Sequence, residues 1–295
     1  MNAKQTDKVM TAILYVISTL IVLLLAGFIG YIIFKGRFCL NINFLFGSPK
    51  VAEAGGGIGP MLYNSFYLLI VSLILTIPIG VGAGIYLAEY AKKGKLLNFM
   101  RLCIETMASL PSIVVGLFGL LVFVEMTKWG YTLIAGALAI TVLNLPAMTT
   151  VCENAIREAS KSVKEASIGL GATRFQTIKK VVLPAAMPQI LTGVILAAGR
   201  IFGEAAALLY TAGMSAPDLT FRHLSLLGKT SSISLMRPAE TLAVYIWKVN
   251  SEGMIPDAAN VANGASAVLI IMVLLFNLSA RLIGKKIYDS YSGSK

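Results

Sequence analysis

A polar, basic stretch from Glu165 to Pro184 lies between long apolar runs, and it limits what the rest of the chain can be. Ahead of it, Asn154 to Val163 has helical periodicity. Gly169 and Gly171 then interrupt the pattern, and Thr173 to Val182 predicts a second short helix before Pro184 and Pro188. The expectation is helix, glycine turn, helix, all outside the hydrocarbon. A basic loop resting on anionic lipid is the plainer reading of the charges. Charge alone does not fix small residues, a glycine and a proline at set distances across twenty positions, so the stretch reads as a specific device.

The apolar runs around it decide the class. Charged residues make up 13% of the 295 residues and hydrophobic ones 57%, whereas soluble domains average about 25% charged. This is an all-α membrane protein. The net charge of +11 is spread between apolar runs rather than gathered on one segment with aromatics, so it reads as a topology signal and not as a nucleic-acid footprint.

Six spans follow from the runs. Val9 to Phe34 exceeds the roughly 20 residues needed to cross, and it is expected to be retained as a first helix rather than cleaved as a signal. The others are Met61 to Leu87, Ile104 to Val124 with Pro111 inside, Thr132 to Val151, Ile190 to Tyr210 and Ala262 to Ile283. Pro78, Gly80, Gly82 and Gly84 in the second span point that helix toward the bundle, because lipid cannot satisfy freed backbone groups. The chain divides into 1–60, the first helix with an outer loop; 61–283, a five-span core holding the polar loop 153–188 and an outer loop 211–261; and a tail, 284–295.

Placing both termini in the cytoplasm puts about twice as many Lys and Arg inside as outside. The inside set includes Lys92, Lys93, Lys95, Arg101, Arg157, Lys179 and Lys180, and the outside set includes Lys50, Lys128, Arg237 and Lys248. The positive-inside rule therefore sets Glu165–Pro184 in the cytoplasm. Trp129 and Trp247 fall outside, as interfacial anchors do.

Cys39, Cys103 and Cys152 have no metal-ligand spacing and straddle the bilayer, so neither a metal site nor a disulfide is expected. His223 reads as an ordinary outer-surface residue. The chain has no phosphate-binding loop, nucleophile elbow or H-E-x-x-H motif. Any ATP hydrolysis is expected on another subunit, and this chain is expected to be no enzyme and to hold no cofactor.

The unusual chemistry lies in the fifth span, in Gly199-Arg200-Ile201-Phe202-Gly203-Glu204. A charge at the centre of a span costs roughly 2.5–3.5 kcal/mol, so such groups line a bundle interior or a pathway. Four residues apart on one helix, Arg200 and Glu204 share a face. Two readings stay open: a substrate pathway, or a structural ion pair locking helices together.

The spacing Glu165-Ala166-Ser167, Gly171, Val181-x-Leu183-Pro184 resembles the EAA loop of the binding-protein-dependent ABC importer permeases, with Ser167 and Val181 as mild departures. Together with Gly199-Arg200-x-x-Gly203-Glu204 and Pro238 to Trp247, it is similar to the phosphate-specific permeases of the PstA type, over nearly the whole chain from Met61 onward. The resemblance implies a type I importer fold in a bacterial cell membrane. It also implies an ATPase dimer (PstB-like) seated on Glu165, Ala166, Ser167, Gly171, Leu183 and Pro184, a second permease (PstC-like), and an external phosphate-binding protein (PstS-like). It further implicates Arg200 and Glu204 in phosphate passage. Arg offers a fork of donors suited to phosphate oxygens, and a carboxylate accepts the proton that phosphate, unlike sulfate, retains near neutrality. An ABC permease for molybdate, sulfate or an amino acid is the next reading. An ATP-independent channel or secondary transporter is a third, but it has no use for a coupling loop.

Overall fold

The computed structural model describes residues 3–50, 53–217, 219, 225–226, 231–253 and 256–292, without the side chains of 3, 162, 280 and 287–292. His223 lies outside these residues, as do Arg222, Lys229 and Lys295. The described residues contain helices and turns and no strand. Among the described residues five helices are long and apolar enough to cross a membrane, six if a helix pair bent by 98° is taken as one span.

Helix α1 (Ala3–Gly36), apolar from Val9 to Phe34, packs along α11 (Ala258–Ser292), with Gly36 closing on Asn263 and Ala267. A short α2 (Ile42–Phe46), capped by the Asn41 side chain, follows. The second span is α3 (Gly59–Ile85), widened at its end into a π-turn over Tyr86–Tyr90. As its composition predicts, α3 faces the bundle at Gly80 and Gly84: a Cβ at either would stand 2.7 Å from Met148 or 2.5 Å from Cys152 on α6. Gly82 meets nothing.

The third span is not the single helix expected over Ile104 to Val124. It consists of α4 (Lys95–Ala108) and α5 (Ser112–Gly119), the latter running into a π-turn to Met126, and the two halves meet at 98°. Pro111 explains the bend: it lacks an N–H, disfavours helical geometry at Leu110, and here takes an extended conformation as the N-cap of α5.

Helix α6 (Leu133–Gly169) carries the fourth span well past the hydrocarbon, so the polar helix ahead of the glycine turn is continuous with it. Its buried N-terminus is satisfied by the outer segment: Leu133 N–H donates to Arg237 O, Ile134 N–H to Leu235 O, and the Thr132 hydroxyl accepts from Ala135 N–H. After the turn come α7 (Arg174–Thr177), a π-turn over Ile178–Val182 and α8 (Leu183–Gly203). Pro184 therefore does not end the helix. The π-turn lets Leu183 N–H reach Ile178 O and widens the helix where Pro184 would otherwise crowd it. The fifth span stops at Gly203, short of the expected Tyr210, and is followed by α9 (Ala206–Leu209). On the outer side, α10 (Leu242–Glu252) packs against α11 and caps the bundle.

Orientation is testable by thiol labelling. Glu53 is exposed in the outer loop and Lys179 is exposed in the polar loop, whereas Gly56 and Ser232, on the same side as Glu53, are buried and unsuitable. In a background without native cysteines, Glu53→Cys is expected to react with a membrane-impermeant reagent added from outside and Lys179→Cys only after the membrane is opened. The opposite pattern would invert the topology.

Candidate functional site

The end of α6 is built as a rigid knob. Ala172 N–H donates to Ser167 O and Gly171 N–H to Ile168 O, while Gly171 sits at φ +85°. This is a Schellman terminus with glycine in the left-handed position. Two residues later Thr173 opens α7 with a capping box: its hydroxyl accepts from Gln176 N–H, and the Gln176 side chain accepts from Thr173 N–H. Both helix ends at the turn are thus closed by local bonds. Ser167, which departs from the expected alanine, adds a bridge: its hydroxyl lies 2.9 Å from the Thr177 hydroxyl on α7.

The knob is anchored through buried carboxylates. Glu89, in the π-turn at the end of α3, accepts from the Ser160 hydroxyl and the Lys164 ammonium at 2.6 Å each, and lies 3.9 Å from the Arg174 guanidinium. Arg174 stacks over Tyr90 as well. Glu153 on α6 binds both Arg101 of α4 and Arg157. Beneath these bonds Cys152, Ile156, Val182, Ala186 and Ile190 pack together with Met148 as one apolar core. These ion pairs, whose carboxylates are buried and whose cations are partly exposed, tie α3 and α4 to α6 at the base of the knob.

Its tip is apolar. Leu170 is 90% exposed and Phe175 64%, on a loop whose neighbours Glu165, Ala166 and Gly171 are also exposed. Leu183 and Pro184 are half-buried at its base. The sequence reading placed Glu165, Ala166, Ser167, Gly171, Leu183 and Pro184 in this loop and missed Leu170, Phe175 and Glu89. Two large apolar residues inside a basic stretch were the available signal for the tip. Nothing local marks Glu89.

The pair expected in the fifth span is arranged differently. Because α8 ends at Gly203, Glu204 is its extended C-cap, with φ −75° and ψ 128°, and its carboxylate accepts from Ala207 N–H at 3.2 Å. Among the described residues no ion pair joins Arg200 to Glu204. Arg200 is exposed in the last turn of α8, where the helix dipole favours a cation, and lines a small cavity of about 160 Å³ with Asn144, Val151, Gly193 and Leu196. The shared helical face fails because the helix stops between the two residues.

Arg237, counted from sequence among the charges on the outer side, is buried there, 2% exposed. Its guanidinium donates to Asn64 Oδ1 at 2.8 Å, to Ser232 O and to Pro238 O, with the Tyr63 ring 6.0 Å away. Asn64 Nδ2–H in turn donates to Glu240 O, and Leu242 N–H donates to the Ser65 hydroxyl. The outer segment is clamped onto α3 by this network. Desolvation lowers the Arg237 pKa, opposed by Tyr63 and Tyr67.

A bundle of apolar spans with a rigid capped knob projecting from one end defines a multi-pass helical membrane protein. Comparison with known proteins gives the family. The binding-protein-dependent transport system inner membrane component family matches residues 80–290, and the chain belongs to it. It is 53% identical over 294 residues, covering 100% of both chains, to the probable ABC transporter permease protein YqgI of Bacillus subtilis (strain 168). It is 34% identical over 245 residues to the phosphate transport system permease protein PstA of Yersinia pestis, covering 81% of this chain and 76% of that one. Among solved structures, the inward-facing MetNI methionine ABC transporter superposes with a TM-score of 0.60 at 20% identity, covering 77% of this chain and 94% of its own. A bacterial ABC transporter involved in the import of the acidic polysaccharide alginate gives 0.63 at 16% identity, covering 96% and 97%. These likenesses establish the type I importer fold. Members of the family are membrane components of transport systems rather than enzymes.

Proposed function

We propose that this chain is the permease subunit of an ATP-driven importer for inorganic phosphate, forming half of the translocation pathway. The observation that carries the ATP-driven reading is the doubly capped knob with Leu170 and Phe175 exposed at its tip. Exposed apolar residues on a rigid projection call for an apolar cleft on a partner, and here that partner is an ATPase dimer that binds the ATP. Phosphate rests on the 34% identity to a phosphate permease and on Arg200, whose guanidinium is exposed at a cavity on the chain's own surface and so open to a second, PstC-like permease. An external PstS-like protein delivers the anion. Arg200 and Glu204 serve as pathway residues.

Solubilised membranes supply the test. The chain is expected to co-purify with an ATPase and a second permease, and the reconstituted complex to take up phosphate in competition with arsenate but not with sulfate or molybdate. Uptake of molybdate, sulfate or an amino acid instead of phosphate would replace the substrate assignment. Uptake that ignores ATP and an absent ATPase would replace the class.

A further inference from the structure

On the outer side, a cavity of about 360 Å³ opens between Pro49, the start of α3, the segment Met214–Ala216 and α10. Its wall carries Lys50, Glu240, Tyr245, Lys248 and Glu252. It shares no lining residue with the Arg200 cavity.

Two polar atoms on this wall lack hydrogen-bond partners: Glu240 Oε1 and the Tyr245 hydroxyl, on residues 2% and 3% exposed. Lys248 Nζ is 3.3 Å from Glu240 Oε1 and donates to Met214 O at 2.8 Å. The ammonium neutralises the Glu240 carboxylate without a well-aligned hydrogen bond to Oε1, and the Tyr245 hydroxyl has no hydrogen-bond partner. A buried polar atom left so costs about 1–3 kcal/mol, which a bound ligand recovers. Burial pushes Glu240 up to about 7 against the pull of Lys248. Burial, with Glu240 and Asp257 adding to it, pushes Tyr245 up to about 12, so its phenol keeps its proton and donates.

The occupant must therefore donate to one atom and accept from another within a wall of mixed charge. A bare cation would confront the ammonium groups of Lys248 and of Lys50, which also pairs with the exposed Glu53 at 3.0 Å, and a fully ionised anion would confront the carboxylates of Glu240 and Glu252. We propose that this cavity is an outer binding site for a protonated phosphate-class oxyanion, whose P–OH donates to Glu240 Oε1 while its oxygens accept from Tyr245 and from the ammonium groups of Lys248 and Lys50. This rests on the phosphate reading above and places a second, discriminating contact at the outer mouth, separate from Arg200. A phosphodiester lipid headgroup shares the oxyanion but has no proton to give, so Glu240 separates the two sources.

The test uses the whole complex carrying Arg200→Gln, in phosphatidylcholine nanodiscs without binding protein or ATP, with equilibrium binding of radiolabelled inorganic phosphate. Saturable binding is expected. Adding Tyr245→Phe, which deletes only the hydroxyl, is expected to weaken it about tenfold. Adding Glu240→Gln is expected to admit sulfate as a competitor, since an amide donates where a carboxylate repels; a merely structural Glu240 gives no such exchange of specificity. Binding absent from the Arg200→Gln complex, or unchanged in both added variants, overturns the proposal, as does displacement of phosphate by phosphatidylglycerol nanodiscs. If phosphate uptake by the unmodified complex persists while this binding fails, only the outer site is lost; if the complex carries another solute, the phosphate reading falls by itself.

Discussion

Gly171→Val is expected to abolish uptake while leaving the chain in the membrane. The reason is conformational rather than steric: a Cβ at Gly171 would meet nothing within 4 Å, but the residue holds φ +85°. For an L-residue the left-handed region costs roughly 1–2 kcal/mol, and a β-branched side chain fits it worst. That is too little to unfold a bundle of this size, yet it acts at the one turn joining α6 to α7. Relieving the strain releases the bonds from Ala172 to Ser167 and from Gly171 to Ile168, and the direction of α7 and of Phe175 changes with them. Gly171→Ala carries the smaller strain and is expected to retain part of the activity. Uptake per assembled complex and the amount of ATPase retained on purification are the measurements; unchanged values for the valine variant would remove the coupling role from this loop.

The knob was legible in the sequence because its signals are local. A left-handed glycine, a Thr-x-x-Gln capping box and prolines at fixed distances each specify backbone geometry within a few residues. Five of the six expected crossings were legible for the same reason, since length and apolarity are counted along the chain. The rest depends on partners far apart in sequence. Glu89 and Lys164 are separated by 75 positions and Arg237 and Asn64 by 173, so neither clamp announces itself, and the charge count that set Arg237 on the outer side carried no sign of its burial. The 98° bend at Pro111 was half legible: the proline was visible, but whether it kinks a span or breaks it depends on what packs against each half. The fifth span failed through an assumption of continuity. Spacing of four implies a shared face only while the helix lasts, and here Gly203 ends it before Glu204.

That ending changes what substitution at Arg200 should do. An ion pair with Glu204 would make the two residues interdependent, so that neutralising both would restore what neutralising either had damaged. Glu204 instead caps α9 through Ala207 N–H, and Arg200 stands exposed on the surface of the single chain. Arg200→Gln keeps hydrogen-bonding length and removes a charge that, among the described residues, no carboxylate pairs with, so assembly is expected to be normal. Losing a charged hydrogen bond to the anion, worth about 1.5–3 kcal/mol, lowers uptake roughly tenfold to a hundredfold. The double variant, Arg200→Gln with Glu204→Gln, is expected to be no better than Arg200→Gln alone, because glutamine still offers an acceptor to Ala207 and there is no pair to rebalance. Uptake normalised to assembled complex decides the matter. Recovery in the double variant toward the unmodified level would mean that the two residues do pair in the working transporter and that Arg200 does not handle the anion.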